Sequence, residues 1–105
     1  MIKPKVSVAK MVVEKGTAKN KKLKAIFYDA EGKKIKTTQF GDSRYEDYTQ
    51  HKDKKRRDKY RSRHKKDLDK GNYMNAGFLS YYILWGESAA LKTNINKYKK
   101  RFNLT

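Results

Sequence analysis

The 105-residue chain contains no cysteine. Disulfide frameworks, thiolate metal centres and cysteine nucleophiles are therefore excluded, and the composition suits a reducing compartment. Proline occurs once, at position 4, so no proline-rich linker divides the chain. No apolar run approaches the roughly 18 residues that a spanning helix needs. The N-terminal MIKPKVSVAKMVVEKG also lacks the apolar stretch of a signal peptide. These absences predict a single small soluble domain, residues 1–105, made in the cytoplasm and without a membrane span. Acidic residues are scarce as well: 11 Asp and Glu stand against 28 Lys and Arg, a net charge of +17. Such a balance says little about the fold, but it predicts an anionic partner.

Hydrophobic residues make up only 36% of the chain, so the core must be modest. The 12% of aromatic residues partly compensate, because each ring buries a large area. The excess charge is concentrated. Residues 51–66, HKDKKRRDKYRSRHKK, hold ten Lys or Arg, with Tyr60 as the one sizeable hydrophobe. Two carboxylates, Asp53 and Asp58, fall in the same stretch. At i,i+4 they could pair with Arg57 and Lys54, which would offset little of the local charge. A segment like this cannot form a core. It is either a solvated, salt-bridged helix face or a surface that meets phosphates or an acidic protein.

The first forty residues read as β structure. Residues 5–13 are rich in β-branched side chains, and residues 22–28 alternate with period two around Leu23, Ala25 and Phe27. Asp29-Ala30-Glu31-Gly32-Lys33 supplies a turn with Gly32 available for positive φ, and residues 35–40 resume the strand pattern. Three helices are then expected, over 50–67, 76–86 and 88–102. Thr49 caps the first, Tyr45 and Tyr48 serve as its staple, Gly71 lies past its end, and Ser88 caps the third. Leu91, Ile95, Tyr98 and Phe102 fall on one stripe of that last helix and are expected to be its buried face. Lysines at its end suit the helix dipole. The predicted class is α+β, a small antiparallel hairpin or three-stranded sheet followed by about three helices.

Chemistry is sparse. His51 and His64 are the only histidines, thirteen residues apart, with no spaced carboxylates to complete a metal site. The glycines at 16, 32, 41, 71, 77 and 86 write no phosphate-binding loop. No nucleophile elbow surrounds Ser80 or Ser88. No enzyme, cofactor, metal or small-molecule substrate is expected. Tyr60 and His64 share a face at i,i+4 and are expected to pack the basic helix onto the body. Tyr81, Tyr82 and Trp85 could stack on bases, or serve as core or partner-facing aromatics. The residues assigned to an anionic partner are Lys54, Lys55, Arg56, Arg57, Lys59, Arg61, Arg63, Lys65 and Lys66. The chain carries no helix-turn-helix, zinc module or ribonucleoprotein signature.

One order of residues is distinctive when read as a whole. It runs through Phe40-Gly41, Asp47-Tyr48-Thr49, His51-Lys52-Asp53, Arg56-Arg57-Asp58-Lys59-Tyr60 and Arg63-His64. It continues through Ala76-Gly77-Phe78-Leu79-Ser80, Ile83-Leu84-Trp85-Gly86 and Arg101-Phe102. This pattern resembles an uncharacterised group of small basic proteins encoded by large double-stranded DNA viruses of eukaryotes. The resemblance implies a viral origin, a location in the virion, and a minor capsid component that bridges or cements shell proteins with acidic surfaces. The alternative is a sequence-independent binder of double-stranded DNA. No catalytic residue carries over from that group.

Overall fold

Strand β2 (Lys21–Tyr28) shows how the sheet forms. Leu23, Ala25 and Phe27 point to one side and meet Phe40, Thr38 and Lys36 of β3 (Lys34–Asp42). On the other side of β2, β1 (Lys10–Lys15) pairs antiparallel, with Met11 opposite Phe27 and Val13 opposite Ala25. The order is β1-β2-β3, a meander of two hairpins. The second hairpin turns where expected. Gly32 has φ +83°, and the Asp29 carboxylate accepts from the amides of Glu31 and Lys33. The structure, a computed structural model, describes residues 2–105. It has the expected α+β class: a three-stranded antiparallel sheet followed by helices.

The boundaries differ from expectation in informative ways. The first strand is shifted towards the C-terminus, to 10–15 rather than 5–13. Val6 stands half exposed, because β2 offers partners only up to Tyr28, which already accepts from the Ala9 amide. The expected helix 50–67 is three pieces: α1 (Tyr48–His51), α2 (Lys54–His64) and α3 (Asp67–Lys70). Lys52 takes a left-handed conformation, φ 60°, and breaks the run. Thr49 is therefore not a cap. Asp47 caps α1 and Asp53 caps α2, its carboxylate accepting from the amides of Lys55 and Arg56. That role removes Asp53 from the expected pair with Arg57, which bonds Asp58 instead.

The apolar segment 76–86 is one turn of α-helix, α4 (Ala76–Leu79), running into a π-helical turn, Ser80–Leu84. The wider turn ends on the Trp85 amide, which donates to the Ser80 carbonyl. The last helix, α5 (Leu91–Arg101), has Ala90 rather than Ser88 as its N-cap residue, although the Ser88 hydroxyl does accept from the Ala90 amide. The sheet face bearing Met11, Phe27 and Phe40 closes on Leu79, Ile83, Leu84 and Tyr98. Each such side chain removed from water contributes roughly 1.5–3 kcal/mol.

The expected stripe is only partly buried. Tyr98 is enclosed, whereas Leu91, Ile95 and Phe102 are half-buried against the core. The fully buried neighbour of Tyr98 on α5 is Asn94. Its amide nitrogen donates to the carbonyls of Ile83 and Ser88, and its Oδ1 accepts from the Ser88 amide. Gly86 lies against it, where a Cβ would sit 2.2 Å from the Tyr82 carbonyl oxygen and 2.8 Å from Asn94 Cγ. Among the described residues no helix is long and apolar enough to cross a membrane.

Candidate functional site

Helix α2 has almost no apolar residue, so it needs another way to hold the body. It uses residues 57, 60, 61 and 64, which fall on one helical face. Arg57 lies over the Tyr48 ring at 4.9 Å and donates to the Glu87 carbonyl. Arg61 lies over the Tyr81 ring at 4.5 Å and reaches the Trp85 carbonyl. Between them Tyr60 stacks on Trp85, with His64 against the Tyr60 ring at 4.3 Å and His51 near the Trp85 ring at 5.3 Å. Tyr60 thus holds the helix to the body through Trp85, whereas His64 packs on Tyr60 within α2 and bonds Asp67 of α3. Burial raises the pKa of the Tyr60 hydroxyl, so it is neutral at ordinary pH.

This docking sorts the nine predicted anion-contact residues into two groups. Arg57 and Arg61 are half-buried and committed to the body. Lys54, Lys55, Arg56, Lys59 and Arg63 of α2 are exposed, as are Lys65 and Lys66 in the turn before α3. Helical geometry gathers Lys55, Arg56, Lys59, Arg63 and the following Lys66 into one cationic band of about 100°. The three aromatics behave as body residues. Arg61 covers Tyr81, which is buried; Arg101 lies 4.6 Å over Tyr82; Trp85 stacks on Tyr60 and has the tilted His51 ring beside it.

One edge of the band borders a cleft of about 620 Å³. Its first wall is Arg56, Lys59, Tyr60 and Arg63 of α2. Facing it are Lys21 and Lys22 of β2 and the segment from Phe40 to Asp47, with Ala76, Gly77, Ser80 and Leu84 contributing from α4 and the π turn. The carboxylates of the lining are largely committed. Asp47 is buried, accepts from the Thr49 amide, and pairs with Lys22 Nζ at 2.6 Å. Asp67 pairs with His64 Nδ1 at 3.0 Å. Asp42 is gripped by the Arg44 side chain at Nε and Nη2, at 3.0 and 2.8 Å. That hydrogen-bonded grip holds its carboxyl down to about 2. Glu46 has no ion-pair partner among the described residues.

Tyr45 does not act as a staple. It projects from this turn with 70% of its surface exposed, while Tyr48 alone is buried under Arg57. Lys21, Tyr45 and the Asp42–Arg44 fork were missed by sequence reasoning. Tyr45 stands between Arg44 and Glu46 just past Gly41-Asp42-Ser43, a polar turn setting that does signal exposure. Lys21 carries no such signal, since only the fold brings it to the cleft that Arg56 borders.

The histidines are engaged locally. His51 Nδ1 accepts from the Asp53 amide at 2.9 Å, and its buried Nε2 has no partner among the described residues. His64 is bound to Asp67. Among the described residues no three His, Asp or Glu side chains gather where they could hold a metal ion.

No curated protein matches the chain significantly, and no solved structure does either. A family of unknown function, DUF5754, matches residues 11–64, from within β1 to the last residue of α2. With just over half of its length matched, the chain belongs to this family of unknown function.

Proposed function

We propose that this protein is a non-enzymatic binder of nucleic acid that engages the phosphate backbone without reading sequence. The observation that carries the reading is the separation of the α2 cations. Arg57 and Arg61 hold the helix in place, which leaves Lys55, Arg56, Lys59, Arg63 and Lys66 exposed as a band on a fixed scaffold. A helix that only had to be solvated would not need this excess of one sign, since the band contains no acid to offset it. Backbone contacts by Lys and Arg supply affinity and position but no sequence information, and the band offers no Asn, Gln, Asp or Glu to read adenine or cytosine.

A second reading follows from the resemblance of residues 40–102 to small basic proteins of large DNA viruses. In that setting the same band would meet acidic shell proteins, and the protein would be a minor capsid component. An acidic protein surface and a phosphate backbone attract the same cations.

The two readings separate in a salt series. Duplex DNAs of unrelated sequence are expected to bind with equal affinity. The logarithm of the affinity should fall linearly with the logarithm of salt, its slope shrinking by about 0.9 for each phosphate contact removed by a Lys or Arg to Gln change in the band. Polyglutamate serves as the acidic-protein probe. Saturable binding to polyglutamate but not to DNA, with loss of the band variant from nuclease-treated particles, would replace the nucleic-acid reading with the capsid one.

A further inference from the structure

We infer that the cleft between the Asp42–Glu46 turn and α2 takes one unpaired nucleotide, with its base on Tyr45 and its phosphate against Arg56, Lys59 and Arg63. The inference rests on the nucleic-acid reading above and deepens it: the ligand is a single strand, and the cleft receives a base that a duplex keeps stacked.

Four observations converge. The first is Tyr45, 70% exposed at the mouth of the cleft. Its turn is fixed rather than loose. The Tyr45 amide donates to the Asp42 carbonyl, the Ser43 amide to the Asn20 carbonyl, and Arg44 clamps Asp42 through both its backbone amide and its guanidinium. A ring held out by a braced turn is a preorganised stacking platform. The other cleft aromatics are engaged: Phe40 is buried, and Tyr60 and Trp85 stack on each other with His64 and His51 against their rings.

Size is the second. About 620 Å³ lies within the range of small-ligand clefts and admits a base with its sugar and phosphate. The third is the division of charge. Arg56, Lys59 and Arg63 form the α2 wall and outnumber its one carboxylate, Asp67, which hydrogen-bonds His64. Across the cleft, Asp42 and Asp47 are paired with Arg44 and Lys22, and Glu46 is offset by Lys21 of the same wall. A phosphate is drawn to the helix wall. The turn wall carries no net charge, so the cationic helix wall fixes the phosphate and leaves the base to the Tyr45 side. The fourth is continuity: Arg56, Lys59 and Arg63 belong both to the cleft and to the exposed band, so a strand lying along the band passes the cleft mouth.

The test uses four probes on the intact protein: a single-stranded oligothymidylate about 12 nucleotides long, a duplex of the same length, base-free polyphosphate and adenosine monophosphate. The two oligonucleotides are long enough to span a site of several nucleotides. Tyr45→Ala is expected to weaken the single strand roughly ten-fold, while duplex and polyphosphate binding stay unchanged. Tyr45→Phe should restore the single-strand affinity, because stacking needs the ring and not the hydroxyl. Trp85, the chain's one tryptophan, lines the cleft and should change emission with the single strand but not with polyphosphate. Equal binding of single strand by wild type and Tyr45→Ala would overturn the inference while leaving backbone binding intact. Failure of wild type to bind any of the polymers would instead overturn the nucleic-acid reading. Tighter binding of adenosine monophosphate than of the oligonucleotide would show a free-nucleotide site and overturn the assignment to a strand.

Discussion

Tyr60 lies flat on Trp85, their ring centroids 4.2 Å apart and their planes 7° from parallel. This stack joins the most polar helix of the chain to its most apolar segment. Aromatic pairs contribute about 0.5–1.5 kcal/mol beyond their area burial, and the ring's burial adds to that. Tyr60→Ala should therefore cost about 2–3 kcal/mol in urea unfolding, less than the ~3–5 kcal/mol of a fully buried aromatic because Tyr60 is half-buried. Trp85 emission should shift to the red as water reaches the indole. Tyr60→Phe, which keeps the ring, should stay within about 1 kcal/mol of wild type. A Tyr60→Ala protein as stable as wild type would mean that the stack does not hold α2.

The cations of α2 divide by role, and their substitution should divide stability from binding. Replacing Lys54, Lys55, Lys59 and Arg63 together by Gln removes exposed charge only. Exposed pairs are worth a few tenths of a kcal/mol, so the melting temperature should hold or rise as repulsion is relieved. Replacing Arg57 and Arg61 by Gln should destabilise by about 1–3 kcal/mol in all, from two cation–π contacts and their carbonyl hydrogen bonds. Thermal melts of both variants check this directly. The opposite ranking would make the band structural.

Asn94 does what the stripe on α5 was expected to do. Asn94→Ala would leave the Ile83 carbonyl and both backbone groups of Ser88 without their partner inside the fold. The buried Ile83 carbonyl left unpaired costs roughly 1–3 kcal/mol and the part-buried Ser88 groups less, so a loss of about 2–4 kcal/mol is expected. Ile95→Ala, at a half-buried position, should cost about 1–2 kcal/mol, below the usual range for a fully buried Ile. Chemical denaturation of the two variants gives the comparison, and a larger loss at Ile95 would restore the apolar stripe as the anchor.

Much of the fold was legible because its signals are local. Period-two alternation from Leu23 to Phe40 and the Asp29–Lys33 turn mark the second hairpin, and the density of Lys and Arg marks α2 as surface. Boundaries failed where a distant partner decided them. Val6 belongs to a strand-like run, but β2 has no backbone to offer it. Lys52 breaks the helix through its own backbone conformation, and nothing in its side chain announces this. Asn94 escaped notice because an apolar period counts only apolar residues, and this helix anchors partly through an amide. The cleft was illegible for a simpler reason: Lys21, Tyr45 and Arg63 meet across three separate elements, and no spacing along the chain encodes that meeting.

The last expectation concerns alkaline pH. The Tyr98 hydroxyl is buried and donates to the Tyr73 carbonyl, and burial pushes its pKa well above the ordinary tyrosine value of 10.0. Burial also raises Tyr60 and Tyr73. A group whose folded pKa is raised contributes stability that is fully present below its unfolded pKa. Above pH 10 the unfolded chain gives up the proton while the folded chain keeps it, so Tyr98 lowers stability by up to about 1.4 kcal/mol per pH unit there. Lysines lose their charge in the same range, so the total slope is not diagnostic, whereas a difference between variants is. Tyr98→Phe keeps the ring and removes the ionisation. It should lose about 1 kcal/mol at neutral pH with its hydrogen bond. Its stability should then decline less steeply than wild type above pH 10, narrowing the gap or reversing it. Urea midpoints for both proteins from neutral pH upward test this, and parallel curves above pH 10 would show that Tyr98 ionises as readily folded as unfolded.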